Sequence, residues 1–105
     1  MMRTFETGAT RDSDDTKPDY EGFLSPLVIE AYGRYMTAHR VQADGALRAS
    51  DNWQQGIPKD AYMKSMLRHC IEVWGLHRGM YAGDLHESLC ALLFNVMGYL
   101  HEELR

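Results

Sequence analysis

The chain lacks a basic balance. Its 105 residues hold 11 Lys and Arg against 15 Asp and Glu, a formal charge of −4. A dedicated nucleic-acid binder needs a basic face, so that class is excluded. A local basic patch, or a phosphate ligand carried by metal ions, is not. Cysteine is scarce: Cys70 and Cys90 stand far apart inside apolar runs. They suit reduced core thiols and support neither a disulfide framework nor a zinc site. No apolar run approaches the roughly 20 residues of a membrane span; the longest, Leu89 to Met97, is broken by Asn95. Residues 1–8 contain no apolar segment of the export type, so the expected location is the cytoplasm.

Several catalytic signatures are missing too. The five histidines form neither a His-Glu-x-x-His pair nor a His-Asp doublet. No Gly-rich phosphate loop exists, and no serine or cysteine is set up as a nucleophile.

What is present reads as one all-α domain spanning 1–105. Residues 1–22 form an acidic segment with little apolar content, expected to be extended and disordered unless it packs across another subunit. Ser25-Pro26 opens the first helix, which should run to about Arg40. Residues 41–57 are a long connection with a turn at Asp44-Gly45, a breaker cluster at Gly56 to Pro58 and a short helical turn near Trp53. The second helix should span about Pro58 to Arg78. Its core stripe is Met63, Met66, Leu67, Cys70, Val73, Trp74 and His77, at spacings of three and four. The third starts at Asp84, runs to about Leu104 and is apolar almost all round its middle. Three such helices make a meagre monomer core. A helical bundle completed by oligomerisation, as a dimer or tetramer, is therefore expected. No strand signal is visible.

Two constellations carry possible chemistry. His69 and Glu72 lie three apart on the second helix; Asp84 and Glu87 lie three apart at the start of the third. Residues three apart share a helix face. Antiparallel helices would bring both pairs together, and clustered oxygens are what Mg²⁺ or Mn²⁺ requires. The plainer reading is that Asp84 and Glu87 form a capping box and Glu72 faces solvent. Asp84, Glu87, Ala91, Asn95 and Gly98 also make a polar-to-small stripe that leaves room for a ligand or a close helix. The second constellation is Asn52 and Trp53 with Lys64 and Arg68: an indole to stack on a base, an amide to read a purine edge, two cations for phosphates. Its plainer reading is a loop anchor and a solvated face.

Several runs together resemble a known family. They are Gly8-Ala9-Thr10-Arg11-Asp12, Lys17-Pro18-Asp19-Tyr20, Leu24-Ser25-Pro26, Asp51-Asn52-Trp53-Gln54-Gln55-Gly56-Ile57-Pro58, Tyr62-Met63-Lys64, Leu67-Arg68-His69 and Leu89 to Asn95. The family is the dATP/dGTP diphosphohydrolase N-terminal domain, a phage-rich branch of the all-α MazG-like nucleotide pyrophosphohydrolases. The resemblance covers about residues 6–104. It implies cleavage of a (deoxy)nucleoside triphosphate, with purine dNTPs as the expected substrates, to a monophosphate and pyrophosphate. It also implies Mg²⁺ or Mn²⁺ held by acids from two helices, and a host-cell cytoplasmic setting. Carried onto this chain, Glu72, Asp84 and Glu87 would hold metal, and His69, Glu72 and Glu87 would be catalytic. Asn52, Trp53, Lys64, Arg68 and Asn95 would bind nucleotide. The family pattern of Glu-x-x-Glu then Glu-x-x-Asp stands here as His69-x-x-Glu72 and Asp84-x-x-Glu87. That departure keeps a second reading open, a non-catalytic protein that sequesters a nucleotide, including one used in host defence signalling. A third is an interaction protein that contacts a host partner.

Overall fold

A computed structural model describes residues 2–105. The fold is mostly helical. In chain order it holds strands β1 (Met2–Thr4) and β2 (Thr10–Asp12), helices α1 (Tyr20–Phe23) and α2 (Pro26–Ala38), a 3₁₀ turn at Asn52–Gln55, and helices α3 (Lys59–His77) and α4 (Leu85–Leu104).

Each long helix begins and ends for a local reason. The Ser25 hydroxyl accepts the Val28 N–H, and Pro26 occupies the first turn of α2. At the end of α3, Gly79 N–H donates to the Leu76 carbonyl and Met80 N–H to that of Gly75. Gly79 takes φ +70°, the left-handed turn that stops a helix and reverses the chain. The Asp84 carboxylate caps α4.

The α3–α4 hairpin is the body of the protein, and α2 rests on α4 with a smaller contact. Its seam is made from Tyr62 on α3 and from Ala91, Asn95 and Gly98 on α4, all buried, while Gly75 is buried beneath the Tyr81 ring. The small residues of the α4 stripe thus serve a close helix: a Cβ at Gly98 would sit 2.2 Å from the Tyr62 ring. Tyr62 is only 2% exposed and its hydroxyl has no hydrogen-bond partner.

The stripe expected as the core face of α3 is largely not that face. Met63, Leu67, Cys70, Trp74 and His77 are exposed, Trp74 by 57%. The α4-facing side holds Tyr62, Ser65, Met66, His69, Val73 and Leu76 instead. The two sets are about 100° apart on the helix, so α3 carries two apolar faces and one chain covers only one. Helix α4 shows the same surplus: Leu89, Val96 and Leu100 are exposed on the side away from α3.

The N-terminal segment departs from the extended, strandless expectation. β1 and β2 pair antiparallel with Met2 opposite Asp12 and Thr4 opposite Thr10, and Asp19 caps α1. All six strand residues are exposed, and neither hairpin nor α1 packs extensively on the helical body.

Among the described residues no helix is long and apolar enough to cross a membrane.

Candidate functional site

Antiparallel packing of α3 on α4 brings the two polar pairs to one end of the hairpin. His69 and Glu72 sit one helical turn apart on α3, and the His69 Nδ1–H donates to Glu72 Oε2 at 2.9 Å. A carboxylate can only accept, so Nδ1 carries the hydrogen; in the neutral imidazole Nε2 is then the acceptor. From α4 the Ser88 hydroxyl lies 3.5 Å from the same Oε2, at the limit of a hydrogen bond. Glu72 therefore borders the seam rather than standing opposite it.

Asp84 does cap its helix. Its Oδ1 accepts from the N–H groups of both His86 and Glu87, at 2.9 and 3.2 Å. Both bonds go to one oxygen, so Oδ2 is free of the cap. Capping and ligation are compatible at this residue. The Glu87 side chain is exposed beside it.

Tyr35 links α2 to these acids. Burial, with Cys90, Glu87 and Glu72 nearby, pushes its phenol above the usual range. The Cys90 thiol is likewise raised, first by burial and then by Asp84 and Glu87. Glu87 contributes to both shifts. Among the described residues no group of three or more His, Cys, Asp or Glu side chains is gathered as a ready metal cage.

Asn52 and Trp53 lie elsewhere, on a cleft of about 390 Å³ between the C-terminal half of α2, the 40–57 connection and Phe94. The connection is well tied. Val41 bridges Leu47, Arg48 N–H donates to the Arg40 carbonyl, and Gly45 makes the turn at φ +85°. Trp53 is half-buried, edge-on to Phe94 and His101, with ring centroids at 6.2 and 4.7 Å. Arg105 Nη1 donates to the Gln54 carbonyl and Glu102 accepts the Ile57 N–H, which pins the 3₁₀ turn to the end of α4. Trp53 is therefore an anchor that also lines the cleft.

The remaining expected residues are not brought to this cleft. Lys64 and Arg68 are exposed on α3, Arg68 donating to the Ser65 hydroxyl. Asn95 is buried in the seam, and its amide donates to the Ala91 carbonyl one turn back. The cleft instead presents His39, Arg40 and Arg48, none of which the sequence singled out. The ring of His39 stacks on Tyr35 at a centroid distance of 4.0 Å. Only the loop hydrogen bonds reveal that Arg40 and Arg48, eight apart, are neighbours.

No family model, no curated protein and no solved structure matches the chain.

Proposed function

We propose that the protein is an oligomeric, MazG-like (deoxy)nucleoside triphosphate pyrophosphohydrolase that converts a purine dNTP to dNMP and pyrophosphate. What supports this reading is that His69 and Glu72 on α3, and Asp84 and Glu87 at the start of α4, flank the part of the seam where Ser88 reaches Glu72. The donor set suits Mg²⁺ or Mn²⁺. Such ions take oxygen ligands and are commonly held by one or two carboxylates plus substrate phosphates and water, not by an all-protein cage. Glu72 on α3, with Glu87 and the free Oδ2 of Asp84 on α4, would hold it, which requires these side chains to draw together from their ungathered arrangement. A bound ion would supply neutralisation of phosphate charge and activation of water. His69, oriented through Nδ1 by Glu72, accepts a proton from the attacking water at Nε2. Asn52 and Trp53 hold the base.

Oligomerisation belongs to the same reading. A compact monomer of 12.1 kDa exposes about 6,000 Å², whereas this chain exposes 8576 Å². Its radius of gyration is 19.0 Å, against about 13 Å for a compact domain of this length. An excess of roughly 2,600 Å² per chain, about 5,200 Å² for two chains, reaches the upper range of obligate interfaces, and part of it belongs to the exposed N-terminal ribbon. The exposed stripes of α3 and α4 supply the apolar surface.

The test is product analysis. The protein is incubated at high concentration with each dNTP in Mg²⁺ and in Mn²⁺. Monophosphate plus pyrophosphate from purine dNTPs supports the reading; no turnover of any dNTP sinks it. A nucleotide-sequestering protein is the second reading. It is favoured by the engagement of Glu72 with His69 and of Asp84 with its helix. Tight nucleotide binding without turnover would select it.

A further inference from the structure

We infer that the cleft between α2, the 40–57 connection and Phe94 binds the nucleotide, with Arg40 and Arg48 holding phosphate oxygens while Trp53 and Asn52 face the base. This rests on the nucleotide reading above and deepens it by naming the cations of the site.

Charge makes the case. The chain carries 15 acids against 11 Lys and Arg, yet no acid lines this cleft. Two arginines and a histidine do. Arg40 and Arg48 are in no described ion pair, as is true also of Arg11, Lys17, Lys64, Arg68 and Arg78; of these, Arg40 and Arg48 line the cleft. Arginines left unpaired at a concave site attract a planar or tetrahedral oxyanion, which guanidinium matches with two donors at once. Arg40 is also held in place: its Nε donates to the Arg48 carbonyl at 2.7 Å, leaving its terminal amino groups uncommitted. The two cations are thus tied together through backbone and side chain.

Shape agrees with charge. About 390 Å³ lies within the range of small-molecule sites. The walls are mostly apolar, with Trp53, Phe94 and Met36 offering flat or adaptable surface to a ring. His39 lines the cleft and its ring stacks on Tyr35. By contrast, Lys64 and Arg68 stand exposed on α3 and are not among the residues lining the cleft.

The experiment is calorimetry on the full chain in Mg²⁺ with a non-hydrolysable α,β-methylene analogue of dGTP, and separately with tripolyphosphate. The wild type is expected to bind the nucleotide analogue more tightly than tripolyphosphate. Arg48→Glu should weaken analogue binding at least tenfold, and Lys64→Glu with Arg68→Glu should leave it within twofold. Arg40 bonds the Arg48 backbone, not its side chain, so the loop tie survives the substitution; a melting curve checks this, and Arg48→Gln serves if Arg48→Glu misfolds. Analogue binding that stays within twofold in the Arg48 variant overturns the assignment and leaves the nucleotide reading standing. So does a large loss in the Lys64 and Arg68 variant alone. A wild type that binds tripolyphosphate but not the analogue, or binds neither, overturns the nucleotide reading and this assignment with it.

Discussion

Asp84 shows how one side chain serves two ends. Its Oδ1 satisfies two helix-end N–H groups while Oδ2 stays free, so substitution can separate the roles. Asparagine caps about as well as aspartate, whereas alanine costs about 1 kcal/mol. Asp84→Asn should therefore keep the wild-type stability within about 0.5 kcal/mol while weakening metal-dependent turnover. Asp84→Ala should lose both. Thermal melts and pyrophosphate assays on the two variants check this. Tyr62 invites a second test. Its buried hydroxyl lacks a partner, and an unsatisfied buried polar group costs about 1–3 kcal/mol. Tyr62→Phe should raise stability by about 1 kcal/mol. Burial also raises the Tyr62 phenol above its usual 10.0. The neutral phenol is thus favoured in the fold: its stabilisation is full below pH 10.0 and lost as pH rises through the folded value. Denaturation at pH 9 and above 10 should show a fall in wild type that Tyr62→Phe reduces. The His69–Glu72 contact was legible at this level because helical spacing fixes which residues share a face. Arg40 and Arg48 were not, because their proximity depends on how a loop closes.

The helices were legible as elements, with ends at Ser25-Pro26, Gly79 and Asp84 written in local chemistry. The faces were less so. The periodic stripe from Met63 to Trp74 is apolar enough to pass for the core, but α3 turns the Tyr62–Val73 side to α4. Small residues decide this. Gly98 lets the Tyr62 ring approach, which no pattern of large apolar residues announces. Gly98→Ala should destabilise by about 1–3 kcal/mol through overpacking, although alanine is the better helix former by about 1 kcal/mol. Chemical denaturation measures the sign directly; a gain in stability would contradict the packing described. The N-terminal hairpin escaped the sequence reading because its strands have three residues each and no buried face. A two-stranded ribbon of that size is marginal on its own.

At the level of the whole molecule, surface exceeds what a stable monomer shows. The elongated 57 × 35 × 25 Å chain leaves Trp74, Val96 and Leu100 exposed. Light scattering on the purified protein should give a dimer or larger. Val96→Asp with Leu100→Asp, on the unpaired side of α4, should dissociate it and lower its melting temperature. A monodisperse, stable wild-type monomer would contradict the proposed assembly. The mostly helical class and the three long helices were thus accessible from sequence, while the short α1 and the two-stranded ribbon were not.

The function proposed depends on acids from two helices acting as one site. Mn²⁺ binding, followed by electron paramagnetic resonance in the presence of the α,β-methylene dGTP analogue, tests this most directly. Wild type should bind the ion, and Glu72→Gln on α3 and Glu87→Gln on α4 should each weaken it at least tenfold. Wild-type affinity retained in both variants would contradict a shared metal site between α3 and α4.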